Sequence, residues 1–460
     1  MTWDRVMMAA VALLPLAASP AAAQAPTSAE QVEREVRRVA LTDSLWPGFD
    51  PLAVPLAIYD GQQTWLFRHP SPPPPFAAVP GSDLGAFAMP GREAAVTSNS
   101  SAEIGKTATA TLLIDGPRAN RTPLELAATA IHEAFHVYQR AHHPGWVGNE
   151  GDLLTYPVDN ADLLALRRME SEALRRALAN QEPAGAACWA AAALAFRRDR
   201  FAAMDSAYSA YERLTELNEG LATYVQLRAA GAATVEMPQG EFLAEGVRLR
   251  AYTVGPALAS LLDRLAPAWR QEVEATGGPA LDVRLGQAVQ ATAAGSACAL
   301  TPVEATDLRR RARLDAAEVR AGWAARARAF DSLPGWRVLV QSAAGKPLWP
   351  QGFDPLNVVR TDDGLIHTRF LRLGNDNGQL TALDEAGADI EAHTVPAGAH
   401  PLFNGIAWVE VVLPVRPVVS RSAQSLTIKG PGFTADFRDA KVEESGPQII
   451  VQLTGPAPRE

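Results

Sequence analysis

The stretch TPLELAATAIHEAFHVYQR, at residues 122–140, predicts the helix around which the rest of the chain is organised. Thr122 is a suitable N-cap, Pro123 suits the first helical position, and Glu125 stands three residues after the cap, which together form a helix-start signature. The helix is expected to cover residues 127 to about 140. Its core-facing stripe is predicted to contain Ala127, Ile131, Ala134 and Tyr138.

Two histidines lie four residues apart on this predicted helix. His132 and His136 therefore project from one face, one turn apart, and both imidazoles can reach one Zn²⁺ at about 2.0 to 2.1 Å. Glu133 points about 100° further round the helix, so it cannot be a third ligand but can act as the general base toward a metal-activated water. The alternative is a surface helix whose two histidines are only solvated.

The segment LNEGLATY, at residues 217–224, offers a carboxylate as the third ligand. A ligand helix must pack closely against the histidine helix, and the small neighbours of Glu219, which are Gly220, Ala222 and Thr223, permit that approach. A glycine inside a helix costs roughly 1 kcal/mol relative to alanine, so Gly220 needs a packing reason. These features predict Glu219 as the third ligand.

Glu172 is the competing candidate for the third ligand. Arg175 and Arg176 follow it at helical spacing, which favours an ordinary surface ion pair. The sequence around it, Glu-x-Glu-Ala, also resembles the ligand region of another H-E-x-x-H peptidase group. Glu172 therefore stays open as a ligand or as a partner that orients one of the histidines.

The H-E-x-x-H helix followed by N-E-G-x-A-x-Y resembles the gluzincin metallopeptidases, the thermolysin and aminopeptidase-N-like enzymes. The resemblance covers about residues 105–230 and implies a zincin-like catalytic domain, zinc-dependent hydrolysis of amide bonds, and Glu219 as the third ligand. The spacing departs from that of aminopeptidases, because 83 positions separate His136 from Glu219. The G-x-M-E-N motif of aminopeptidases is also absent from the sequence, so an exopeptidase assignment is unsupported. The sequence does not decide between endopeptidase and exopeptidase activity.

The resemblance implies two further features of the site. The strand predicted at residues 106–114 would be the sheet edge along which an extended substrate lies. A tyrosine hydroxyl would donate to the oxyanion, and Tyr252 and Tyr224 are the candidates. Either residue could instead be an amphipathic tyrosine of the core.

The chain as a whole is predicted to be α+β, with two domains after an N-terminal signal peptide. Residues 24–330 are expected to form a mostly helical zincin-like domain with a small N-terminal β portion, in which a hairpin turns at Asp60-Gly61. The Gly/Ser/Pro-rich stretch from residue 80 to about 101 is expected to be a loop. Residues 335–460 contain short apolar runs between turn residues, which predict a sandwich-like β domain.

Residues 1–23 are predicted to be a signal peptide. Arg5 precedes an apolar run, and the small residues Ala21 to Ala23 provide a cleavage site. The mature chain is therefore expected to be exported, periplasmic or secreted, and without a membrane span. In an oxidising compartment Cys188 and Cys298 are predicted to form a disulfide, with a buried free thiol at Cys188 as the alternative.

The composition excludes several classes of partner. The formal net charge is −9 and no basic stripe is interleaved with aromatic residues, so a nucleic-acid partner is not expected. Two cysteines cannot form a cysteine-rich metal site. The expected cofactor is Zn²⁺ and the expected partner is a peptide or protein substrate.

Two other functions are compatible with the same sequence. A non-catalytic binding protein could keep the metal as a structural element, in which case the fourth coordination position would be closed. A zinc hydrolase could also act on a non-peptide amide or ester, because the site would polarise any carbonyl group.

Overall fold

The computed structural model describes residues 27–42, 44–232, 235–238, 242–292, 298–355, 357–383, 390–422 and 425–454. The predicted signal peptide, residues 1–23, lies outside these ranges. The fold class is α+β, with sheet near the N-terminus, helices in the middle and an all-β C-terminal region. Contacts divide the chain into one compact unit of Met1–Thr42 with Asp50–Ala134 and another of Asp43–Phe49 with Phe135–Glu460.

The first unit contains a helix and a six-stranded sheet. The hairpin predicted at Asp60-Gly61 is confirmed, with Gly61 at φ +97°, a conformation that a residue without a Cβ adopts at little cost. The elements are α1 (Ala29–Thr42), β1 (Leu56–Tyr59), β2 (Gln63–Phe67), β3 (Ala77–Ala78), β4 (Phe87–Pro90), β5 (Ser100–Ile104) and β6 (Thr107–Leu113), with the sheet order β3-β4-β2-β1-β6-β5.

Strand β6 is the strand that was predicted at residues 106–114, but it is not a sheet edge. It pairs in parallel with β1 on one side and antiparallel with β5 on the other. The stretch expected to be a loop up to about residue 101 contains β4 and the start of β5. Because both sides of β6 already have hydrogen-bond partners, an extended substrate cannot add to it, and the predicted substrate-binding edge is wrong.

Helix α2 spans Pro123–His142 and begins where the sequence predicts. The Thr122 hydroxyl accepts from the Glu125 N–H at 3.3 Å, and the Glu125 carboxylate accepts from the Thr122 N–H at 2.8 Å, which is a capping box. The predicted core positions of the helix are all buried, at Ala127, Ile131, Ala134 and Tyr138.

The helical part of the second unit follows α2. It contains α3 (Ala161–Ala179), α4 (Pro183–Ala202), α5 (Ser206–Thr215), a π-helical turn (Glu216–Gly220), α6 (Leu221–Ala229), α7 (Val247–Leu265), α8 (Trp269–Thr276), α9 (Leu281–Thr292) and α10 (Pro302–Asp331). The predicted disulfide is present between Cys188 of α4 and Cys298. Among the described residues, none of the helices combines the length and the apolar character that a membrane span requires.

The C-terminal region is all β and begins five residues after α10 ends. Its strands are β7 (Trp336–Gln341), β8 (Trp349–Phe353), β9 (Val358–Arg360), β10 (Leu365–His367), β11 (Phe370–Asn375), β12 (Gly378–Leu383), β13 (Glu391–Pro396), β14 (Ile406–Leu413), β15 (Val418–Arg421), β16 (Leu426–Gly430), β17 (Phe433–Phe437), β18 (Ala440–Ser445) and β19 (Gln448–Leu453). They form two sheets, in the orders β18-β19-β7-β14-β13-β10-β9 and β15-β16-β17-β12-β11-β8. Val340 and Val411 of the first sheet share one buried core with Leu373 and Ile428 of the second.

Candidate metal centre

Three side chains that can bind a metal come together around α2. His132 and His136 lie one turn apart on this helix, and Glu219 comes from the π-helical turn. One ligand atom from each residue lies within 4.8 Å of the others. The structure therefore brings together the three residues that were predicted as ligands, and the group could hold a metal ion.

The π-helical turn places Glu219 beside the helix of the histidines. Such a turn has five residues instead of four between hydrogen-bonded groups, so it widens the helix locally, and turns of this kind are frequent at functional sites. Glu216, in the same turn, forms a bidentate ion pair with Arg197, with distances of 2.6 and 2.8 Å. Both side chains are buried, so the turn has a fixed anchor three residues before Glu219.

The separation between the His136 and Glu219 donor atoms fits a tetrahedral ion. The His136 Nε2 atom lies 3.2 Å from the Glu219 Oε2 atom. Two donors at about 2.0 to 2.1 Å from a tetrahedral zinc ion are about 3.3 Å apart, so the observed separation needs little adjustment. Two imidazoles and one carboxylate also form a ligand set that leaves a fourth position for water or substrate.

Gln139 fixes the tautomer of His136. The Gln139 side-chain NH₂ group donates to the carbonyls of Leu217 at 2.9 Å and Asn218 at 3.0 Å, so its carbonyl oxygen must face the histidine. That oxygen lies 2.9 Å from His136 Nδ1, which is therefore the protonated nitrogen. The lone pair of Nε2 then faces the Glu219 carboxylate, and this contact is favourable only when a proton or a metal ion lies between them.

Arg248 holds the other oxygen of Glu219. The Arg248 Nη2 atom donates to Glu219 Oε1 at 2.7 Å, while Nη1 donates to the Tyr252 hydroxyl at 2.8 Å. Burial opposes the charge of Arg248, but Glu219, Tyr252 and Glu150 outweigh it and hold its pKa above the ordinary value. Oε1 is thus oriented by the arginine, and Oε2 is left facing His136.

Tyr252 contacts both Arg248 and Glu219. Its hydroxyl is hydrogen-bonded to the Glu219 carboxylate, and burial together with the charge of Glu219 raises the pKa of the hydroxyl. The group therefore stays protonated at neutral pH and can donate a hydrogen bond. In this structure it donates to Glu219 and accepts from Arg248, so it helps to hold the carboxylate.

Glu150 binds Arg248 and lies next to a contact with the C-terminal β region. Its carboxylate accepts from Arg248 Nε at 3.1 Å and from the Tyr211 hydroxyl at 3.1 Å. The next residue, Gly151, lies so close to the Phe403 ring that a Cβ there would be 2.5 Å from a ring carbon. A loop of the β region therefore packs directly against the residue that follows Glu150.

Tyr224 and Glu172 lie outside the group. The hydroxyl of Tyr224 donates to Asp263 at 2.7 Å, and the Tyr224 ring packs against Trp269. The hydroxyl is thus engaged by Asp263 and not by Glu219, and the catalytic role of Tyr224 stays a prediction. Glu172 pairs with Arg175 at 2.7 Å and Arg176 at 2.6 Å, as its sequence context favours.

Glu133, the predicted general base, follows His132 directly on α2 and is 8% exposed. A largely buried carboxylate forms few hydrogen bonds with bulk water, which favours its use as a base.

Gln139 and Arg248 were not predicted from the sequence. Gln139 stands three residues after His136, a spacing that signals a contact on a helix, whereas nothing in the sequence connects Arg248 to Glu219.

No family model, curated protein or solved structure matches this chain. The fold and the site therefore define its class on their own. It is an α+β protein whose central helix and π-helical turn carry a His₂Glu group that could hold a metal ion.

Proposed function

We propose that the chain is a zinc-dependent hydrolase that cleaves amide bonds in peptides, with His132, His136 and Glu219 as the zinc ligands. The observation that carries the proposal is the convergence of these three side chains: one ligand atom of each lies within 4.8 Å of the others, and His136 Nε2 lies 3.2 Å from a Glu219 carboxylate oxygen. A bound Zn²⁺ would supply Lewis-acid polarisation of the substrate carbonyl and would lower the pKa of a water molecule.

The other side chains of the site have separate roles in the proposed reaction. Glu133 takes the proton from the attacking water and returns it to the departing amine. Gln139 and Arg248 hold His136 and Glu219 in their orientations. Tyr252 stabilises the carboxylate of Glu219, and it can donate to an oxyanion only by releasing that contact, so its role as the oxyanion donor is a proposal of its own.

The relation to gluzincins and the zincin-like nature of the helical part are also proposals. They are supported by the H-E-x-x-H helix and by the position of the N-E-G segment in the π-helical turn. Export to the periplasm or the medium is proposed as well. The Cys188–Cys298 disulfide supports export, because such bonds form mainly in oxidising compartments.

The proposal is tested by comparing the wild-type chain with Glu133→Gln on a mixture of fluorogenic peptides. We expect the variant to keep about one zinc per chain and to lose on the order of 10² to 10⁴-fold in kcat/KM. Glu125→Gln is the matched control, because Glu125 lies on the same helix outside the group. Cleavage that survives a chelator would contradict the zinc assignment, and full activity of Glu133→Gln would remove the proposed base.

A further inference from the structure

A cavity of about 530 Å³ lies between the helical part of the second unit and its β region. Volumes of this size, mostly apolar and located where two parts of a fold meet, are typical of sites for small ligands. The walls are formed by the 3₁₀ turn Glu150–Leu154 and the residues after it, by the start of α7, by Trp323 of α10, and by β9 and β10. Leu154, Tyr156, Trp323 and Leu365 make the floor apolar and buried.

Arg360 is the cation of this cavity. Its guanidinium lies over the Trp323 ring, 4.7 Å from the ring centroid. Among the described residues Arg360 forms no ion pair, so its charge is balanced by no carboxylate within 4.0 Å. Glu245, also at the cavity, accepts instead from the indole N–H of Trp323 at 3.3 Å. The planar donors of a guanidinium match a carboxylate in two parallel hydrogen bonds.

Arg248 connects the cavity to the metal centre. It lines the cavity and at the same time donates to the Glu219 carboxylate. Its charge is already balanced by Glu150 and Glu219. An anionic group that enters the cavity is therefore best received by Arg360. Arg248 contacts both the cavity and Glu219, a proposed zinc ligand.

We infer that this cavity is a subsite for the C-terminal residue of a peptide, with an apolar side chain against the floor and the free carboxylate on Arg360. The role as a substrate subsite rests on the proposed hydrolase function. The binding itself needs only the cavity, the apolar floor and the unbalanced guanidinium. An apolar side chain without the carboxylate gains the floor contacts alone and is expected to bind more weakly.

The test is a calorimetric titration of the full chain, kept free of zinc by a chelator, with N-acetyl-L-phenylalanine and with its amide. We expect the carboxylate to bind at least 10-fold more tightly than the amide. Arg360→Gln should reduce this preference to less than 2-fold, and Arg360→Lys should keep part of it. Arg369→Gln is the control, because Arg369 lies in the same β region with an exposed side chain and should leave the preference unchanged.

Equal affinities for the two probes, no binding of either, or an unchanged preference in folded Arg360→Gln would each overturn the inference. A second measurement separates it from the proposed function: kcat and KM of the zinc-loaded chain for a peptide with a free or an amidated C-terminal phenylalanine. We expect a KM at least 10-fold lower for the free acid, and loss of this difference in Arg360→Gln. Hydrolysis without that difference would overturn the subsite alone, whereas binding without any hydrolysis would overturn the proposed function.

Discussion

The orientation of a single imidazole decides what the site can bind. The His136 side chain is largely buried, and a ring free to rotate would present no fixed nitrogen to Glu219. Gln139 prevents this by accepting from Nδ1 while its own NH₂ group is held by two backbone carbonyls of the segment that ends in Glu219. One buried amide therefore positions both His136 and the segment that carries Glu219, the two proposed ligands.

Replacing Gln139 with leucine removes the acceptor for His136 and the donor for two carbonyls. We expect zinc affinity to fall about 10 to 100-fold, because the ring loses its fixed orientation. The free energy of unfolding should also fall by about 1 to 3 kcal/mol, since buried carbonyl groups lose their partner. Competition with a chromophoric chelator measures the affinity. Arg140→Leu, one residue further on the exposed face, should change neither quantity by much, and an unaltered affinity in Gln139→Leu would show that the amide does not orient the ligand.

Much of the site is readable at the scale of single residues. The positions of His132, Glu133 and His136 on one helix follow from the cap at Thr122 and from the four-residue spacing alone. The three-residue spacing of His136 and Gln139 also predicts a contact between them, but Gln139 was not among the predicted residues. The contact between Arg248 and Glu219 could not be predicted, because it depends on how α7 packs against the π-helical turn.

The element that presents Glu219 is shaped by a contact between two glycines. A Cβ on Gly220 would lie 2.7 Å from the Gly255 Cα, and a Cβ on Gly255 would lie 2.5 Å from the Gly220 Cα. The π-helical turn and α7 therefore touch through their backbones. The small residue after Glu219 has the packing reason that the sequence demands, but its close neighbour is α7, the helix that also carries Arg248.

Gly220→Ala is expected to separate these two elements. The added methyl group meets backbone atoms that cannot move aside, so the free energy of unfolding should fall by about 1 to 3 kcal/mol. Zinc affinity should fall with it, because Glu219 precedes Gly220 directly. Gly322→Ala, inside α10, is the matched control: nothing lies within 4 Å of its added Cβ, and it should stabilise the chain by about 0.5 to 1 kcal/mol. Urea denaturation of both variants checks this, and equal effects would contradict the glycine contact.

The elements themselves could be predicted to very different degrees. Helix α2 and the Asp60-Gly61 hairpin follow from local signals, namely a capping box and a turn dipeptide. The place of β6 within its sheet could not be predicted, because strand order depends on which distant strands pair. The polar stretch at residues 100–104 has weak strand character, yet it covers β6 and moves the sheet edge to β5.

At the scale of the whole molecule, a buried cluster of charges joins the helices around the π-helical turn. Each carboxylate accepts from at least one guanidinium, for example Arg200 to Glu170 at 2.7 Å and Arg250 to Glu170 at 2.8 Å. Such a cluster cannot be read from the sequence, where charges on helices indicate solvent-exposed faces. Its members are Arg197, Arg200, Arg250, Glu170, Glu212 and Glu216, all no more than 5% exposed.

This cluster should make the chain sensitive to acid. Burial opposes the charge of Glu212, but Arg200 and Arg250 outweigh it and lower its pKa to about 2, and the pKa of Glu170 is lowered in the same way. The stabilisation is therefore present above the ordinary glutamate pKa of 4.5 and is lost as the pH falls toward 2. Burial raises the pKa of Glu216 despite Arg197. Its contribution to stability therefore has the opposite pH dependence and reduces the loss of stability at low pH.

Urea denaturation at a series of pH values between 7 and 2 measures this dependence. We expect the free energy of unfolding to fall steeply below about pH 4.5, and we expect Glu212→Gln to flatten that slope while lowering stability at pH 7 by about 3 to 5 kcal/mol. Glu304→Gln is not a suitable comparison, since the pKa of that half-exposed carboxylate is also lowered. A slope that is unchanged in Glu212→Gln would show that the buried cluster does not control acid stability.

A zinc titration of the wild-type chain beside Glu219→Gln and Glu172→Gln tests the central claim most directly. Both substitutions keep the shape of the side chain and remove its charge, but only Glu219 faces His136. We expect the wild type to bind one zinc ion per chain, Glu219→Gln to lose at least about 100-fold in affinity, and Glu172→Gln to bind as the wild type does. A wild-type chain that binds no zinc, or a loss of affinity in Glu172→Gln with none in Glu219→Gln, would contradict the account.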